Sequence, residues 1–195
     1  ALLKPDAKEY LDKTRLEQRV KSGCDPLSVP IRLGGGETLN RASALWTRPR
    51  SEVTAEQYEA FYRDVAQAFD KPWRTLHYRA EGAIEYTALL FVPAERPFAL
   101  FHPDRRADLR LHVKRVFISA DVKELLPSWL RFLKGVIDSE DLPLNVSREL
   151  LQANPLLAKI RAGVVKRVLA DLAKAAGEDA EGYGRFWANF GAVLK

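Results

Sequence analysis

Between Thr54 and Phe69 the apolar residues Tyr58, Phe61, Tyr62, Val65 and Phe69 recur at helical spacing, behind a capping box formed by Thr54 and Gln57. This is the strongest amphipathic helix in the chain. A weaker stripe, Ala7, Leu11, Leu16 and Val20, predicts a helix from Asp6 to Ser22 closed by Gly23, and "LSVPIRL" then reads as an edge strand interrupted by Pro30. Leu76 to Ala80 and Ile84 to Val92 predict two strands joined as a hairpin at Glu81-Gly82. In "LRLHVKRVFIS", Leu109, Leu111 and Val113 alternate with Arg110, His112 and Lys114 before the run turns wholly apolar. That pattern predicts a third strand that starts on a solvated face and ends in the core.

Pro127 suits a helix start, Leu130 and Leu133 suit its buried side, and Gly135 suits its end, after which "GVID" returns as a short strand. From Asn154-Pro155 onward the pattern is helical, with Ile160, Val164, Val168 and Leu172 four apart. A second helix then presents Tyr183, Phe186, Trp187 and Phe190. The order predicts an α/β (α+β) fold, a mixed sheet flanked by helices and followed by a small helical segment.

Gly34, Gly35 and Gly36 mark a boundary, and residues 1–33 hold too few large apolar groups to fold alone. The predicted organisation is a terminal helix and strand of a neighbouring domain (1–33), a short linker (34–38), a large α/β part (39–153) and a helical part (154–195). At 195 residues and 47% hydrophobic content the chain suffices for a real core. No apolar run approaches the roughly 18 to 20 residues of a membrane span. Cys24 stands alone, which excludes an internal disulfide and a cysteine zinc cluster and suits a reducing cytoplasm. A chain that lacks an initial methionine and stops at "FGAVLK" within an apolar pattern reads as a piece of something longer.

The formal charge of +5 is modest for this length. Arg105, Arg106, Arg110, Lys114 and Arg115, interleaved with Phe101 and Phe117, form a basic strip that suits either a solvated sheet face or an alternative function as a nucleic-acid-binding α/β domain. His77, His102 and His112 are not spaced as metal ligands, and "GGG" is followed by Glu37 rather than by a phosphate-loop lysine. Asp138, Glu140 and Asp141 suit a hard cation or a solvated connector, and no metal is expected. Trp46 and Phe98 stand outside strong apolar patterns, so each either packs locally or, if exposed, offers a contact to partner proteins.

The segment "GVIDSEDLPLNVSRELLQ" is the most pointed. If Asn145 or Ser147 caps a helix, Arg148 lies in its first turn, where a cation is disfavoured by roughly 0.3 to 1 kcal/mol. Gln152 follows at i+4 on the same face. The pair looks like half of a phosphate site, because an arginine fork suits phosphate oxygens and an amide can orient a phosphate or a water. Pairing of Arg148 with the acids of its own loop explains the same pattern, and local physics leaves both readings open.

"IDSEDLPLNVSRELLQ" closely resembles the signature segment of the middle domain in the 90-kilodalton heat-shock chaperone family, above all its bacterial members. The likeness extends through "ALWTRPRSEVTAEQYEAFY", "EYTALLFVPAERPF", "LHVKRVFI" and "FWANFGAVLK", so it covers nearly all of 39–195. The resemblance implies a segment of a dimeric, ATP-driven cytoplasmic chaperone that binds unfolded client proteins. ATP and Mg would be held by an amino-terminal domain, and dimerisation would lie in a carboxy-terminal one. It also implies that Arg148 is the arginine that reaches the ATP γ-phosphate and that Gln152 is its neighbour in the catalytic loop. Asn145, Ser147, Asp138, Glu140 and Asp141 would position that loop. Trp46 and Phe98 match residues of client contact and interdomain communication. No activity is expected of the chain alone, and neither a membrane nor a nucleic acid is an expected partner.

Overall fold

The computed structural model describes residues 12–23, 29–40, 44–97, 100, 108–120, 122–144 and 154–194. Four α-helices are present among them: α1 (Lys13–Gly23), α2 (Ala55–Ala66), α3 (Pro155–Glu178) and α4 (Ala180–Leu194). Five strands, β1 (Pro72–Ala80), β2 (Tyr86–Pro93), β3 (Asp108–Val113), β4 (Val116–Ser119) and β5 (Lys134–Ser139), form one sheet in the order β1-β2-β5-β3-β4. Only the β3–β5 pair is parallel. The expected mixed α/β architecture is therefore present. None of the described helices is long and apolar enough to cross a membrane.

Strand alternation sends side chains to two faces. Leu76, Ala88, Leu90, Leu111 and Ile137 pack against Ile160, Val164, Val168, Phe186 and Phe190 of α3 and α4. On the opposite face Leu89, Phe91 and Val136 pack with Tyr62 of α2 and with Ala44 and Trp46. Every residue of β5 is buried, as befits a central strand covered on both sides.

The capping box forms as predicted: Gln57 N donates to Thr54 Oγ1 and Thr54 N to Gln57 Oε1. The helix ends at Ala66, however, because Gln67 turns into the left-handed region (φ 49°), and Phe69 is fully exposed rather than on the apolar stripe. The hairpin of β1 and β2 forms with Ala80 opposite Tyr86.

Two expectations need correction. "LRLHVKRVFIS" is two strands, not one, because Lys114 and Arg115 adopt φ 51° and 68° and reverse the chain in a two-residue turn. Burial runs opposite to the expected direction, since β3 is the inner strand and β4 the half-exposed edge. His112 is buried, and desolvation pushes its pKa down to about 4, so it is neutral at pH 7.

Second, the region after Pro127 makes only a short 3-10 turn (Ser128–Leu130), with Leu130 and Leu133 buried as expected. Gly135 does not end a helix. It sits within β5 at φ 135°, where an added Cβ would collide with the Leu89 carbonyl oxygen and come within 3.0 Å of Leu90 Cα. Within "LSVPIRL", the described residues 29–33 join no sheet of this chain. Pro30 lacks an amide donor, and the turn at Gly34 and Gly35 (φ 61° and 77°) folds the chain back on itself. The result is a single bridge between Arg32 and Thr38, with Leu39 N donating to Ile31 O.

Gly135→Ala is expected to destabilise the protein by at least about 3 kcal/mol in urea denaturation, since the strained backbone and the β2 carbonyl both reject a methyl group. Unchanged stability would mean that β5 can shift away from β2.

Candidate functional site

Two fixed stems flank the segment that carries Arg148. At the first, β5 ends at Ser139, whose Oγ accepts from Asp141 N (3.3 Å) and Leu142 N (3.2 Å). Glu140 N donates to Glu85 O, and Glu85 N donates back to Asp141 Oδ2 at 2.6 Å. The start of the loop is thereby tied to the loop between β1 and β2, and Leu142 is buried beneath it. At the second stem, Asn154 caps α3: its Oδ1 accepts from Leu156 N at 2.9 Å, and Pro155 takes the first-turn position. Arg148, Gln152, Asn145 and Ser147 lie outside the described residues, as does Phe98.

The three acids have different places. Asp138 lies in β5 rather than in the connector, 3% exposed. Its Oδ2 accepts from Trp46 Nε1 at 2.7 Å and its Oδ1 from Arg115 N at 3.1 Å. Burial raises its pKa, and these two donors oppose the rise. Asp141 is engaged by the Glu85 amide, and Glu140 is exposed. Asp138 and Asp141 thus organise the loop stem and its surroundings, and no group of His, Cys, Asp or Glu among the described residues is arranged to hold a metal ion.

Trp46 is buried, at 2% exposure. Besides the bond to Asp138, its carbonyl receives His77 Nε2 at 2.9 Å, which makes His77 Nδ1 the acceptor for the Tyr58 hydroxyl at 2.6 Å. The indole lies against His112 and Phe61, with ring centroids 4.8 and 5.8 Å away. Of the two alternatives for Trp46, exposure is thus excluded, and the indole is an internal anchor. The sequence carried no local sign of this, because Asp138 is 92 positions away.

The proposed basic strip is divided. Arg105, Arg106 and Phe101 lie outside the described residues, Arg110 turns toward α2 and donates to Asp64 O, and Lys114 and Arg115 project from the β3–β4 turn. Phe117 is half-buried against His112.

Trp46→Phe retains a ring beside His112 but leaves Asp138 with the Arg115 amide alone. Chemical denaturation should show a loss of about 1.5–3 kcal/mol, the usual worth of a hydrogen bond to a charged group. A loss confined to a few tenths would show that the indole N–H contributes nothing beyond packing.

The family described as Hsp90 protein matches residues 28–195. The chain is 59% identical over 192 residues to the chaperone protein HtpG of Paramagnetospirillum magneticum, covering 96% of this chain and 31% of that protein. It is 56% identical over 197 residues to the chaperone protein HtpG of Rhodospirillum rubrum, covering 99% of this chain and 32% of that one. The chaperone protein HtpG of Methylorubrum extorquens is 53% identical over 199 residues. The chain spans about a third of the length of these relatives. With a family match over so much of its length, the chain belongs to the Hsp90 family of chaperones.

Proposed function

We propose that the chain is the middle segment of an ATP-dependent chaperone, supplying Arg148 to the γ-phosphate of an ATP held by an amino-terminal domain. The observation that supports this most is the pair of anchored stems. The end of β5 is tied to Glu85, and Asn154 caps α3, so the intervening segment is tethered at both ends. A guanidinium brought to the transferring phosphoryl group stabilises its spread charge, and arginine fingers contribute on the order of 10³ to 10⁵ in rate. Gln152 would orient the phosphate or the attacking water, with Asn145 or Ser147 capping the turn that presents both.

The described residues offer neither a glycine-rich phosphate loop nor a metal cluster, so they do not fit ATP or Mg by themselves. On this reading both belong to the amino-terminal domain, of which residues 1–33 are the last helix and strand and 34–38 the linker. Hydrolysis then waits on docking of the two domains, and the isolated chain is inactive. A carboxy-terminal domain would make the homodimer. Unfolded clients would be the protein's partners and the cytoplasm its compartment. Phe98 would serve client or interdomain contact, whereas Trp46 would act on interdomain communication from inside, through Asp138.

In the full-length protein, Arg148→Ala should lower ATP turnover by at least about a hundredfold with nearly unchanged ATP affinity, as for removal of a transition-state interaction. Steady-state hydrolysis and nucleotide titration measure the two quantities. Wild-type turnover in the variant would remove Arg148 from the mechanism.

A further inference from the structure

Among the described residues strand β1 is an edge of the sheet. Among the described residues only β2 pairs with it, along a strand of nine residues. Such an edge presents backbone donors and acceptors to any extended chain, and proteins usually cover or blunt it. Here it is bordered by a groove. An open cleft of about 530 Å³ lies over the first half of the strand, with Trp73 and Arg74 at its base, Arg50 on one side and Arg167 and Lys174 of α3 on the other.

A second cleft of about 420 Å³ shares Arg50 and borders β1 at His77, Tyr78 and Arg79, and it also reaches across the sheet to Thr87, Arg115 and Glu140. From Trp73 to Arg79 the two together follow β1 for roughly 20 Å at the usual rise of a strand.

The charge of the groove is lopsided. The first cleft holds four cations and one carboxylate, Asp171, and Arg74 already occupies that carboxylate with two hydrogen bonds of 3.0 Å. Arg50 and Arg167 are exposed, and neither guanidinium has an acceptor among the described residues; Arg167 rests on the Tyr78 ring, 5.3 Å from its centroid. Because Arg167 stands on the α3 face of the sheet and Arg50 on the α2 side, they flank the edge. Alternate side chains of a strand added to β1 would point toward each in turn.

We propose that this groove binds an extended acidic peptide segment of a partner protein, added to the sheet at β1 with carboxylates on Arg50 and Arg167. Length and the free main-chain groups favour a peptide over a small anion, which would engage only one cleft. The site does not rest on the catalytic reading of Arg148, and either can fail without the other.

The test uses this chain and a short fluorescent peptide of alternating aspartate and valine, followed by anisotropy. Binding should weaken at least roughly tenfold with Arg50→Glu/Arg167→Glu, and by a similar factor when asparagine replaces aspartate or when alternate peptide amides are N-methylated. Arg161→Glu, an exposed change on α3 outside both clefts, should leave affinity unaltered. Unaltered circular dichroism establishes that each variant folds, and Arg50→Gln/Arg167→Gln replaces the double charge reversal should it misfold. The proposal is overturned if wild-type chain does not bind the peptide or if the double variant binds as well as wild type. Equal binding of the N-methylated peptide would also overturn it, by reducing the groove to a general polyanion surface, as would tighter binding of an oligothymidine strand.

Discussion

The buried carboxylate of Asp138 joins two parts of the structure at once. One oxygen accepts the Trp46 indole, fixing the segment ahead of α2 to the sheet; the other accepts the Arg115 amide. That second bond matters because Lys114 and Arg115 both hold left-handed backbone angles, at a cost of roughly 1–2 kcal/mol each for residues with a Cβ. The adjacent Lys114 amide donates to Ser139 O. A turn of disfavoured geometry is thus held from β5 by two consecutive residues. An ionised carboxylate suits this place since it is acceptor-only, and both groups that reach it are donors.

Position along β5 places this anchor beside the stem of the segment that carries Arg148. Ser139 follows immediately and organises Asp141 and Leu142, while Glu85 closes the contact from the neighbouring loop. Rigid strand, buried anchor and hydrogen-bonded stem succeed one another within a few residues. On the proposed reading, such a base lets a loop deliver an arginine to another domain without rearrangement of the sheet. The same sheet presents a cationic free edge at β1, on the side away from β4.

Much of the fold was legible in the sequence wherever one local signal had one meaning. Thr54 with Gln57 admits little besides a helix start, and the spacing of Ile160, Val164, Val168 and Leu172 admits little besides a buried helix face. Ambiguous signals misled. Gly135 reads equally as the end of a helix or as a close approach between strands, and only the partner β2 decides. Lys114-Arg115 carries none of the glycine or asparagine that usually marks a tight turn, because tertiary bonds from Asp138 and Ser139 stabilise it instead. Trp46 looked isolated because the groups that hydrogen-bond to it and stack on it, Asp138, His77 and His112, come from distant parts of the chain. At the candidate site, local physics recognised Arg148 as misplaced for a helix start but left its partner open. The phosphate is inferred from family resemblance, since on the proposed reading half of the site lies in another domain.

The central claim is that this chain completes an active site that it does not itself contain. The most direct measurement is ATP hydrolysis by a separately produced amino-terminal domain of a matched relative, with and without this chain added in excess. The account predicts turnover well above the sum of the two parts measured alone, and no such gain when the added chain carries Arg148→Lys, which keeps the charge but loses the planar fork. Absence of any gain with the wild-type chain at saturating concentration, or an equal gain with the lysine variant, would contradict it.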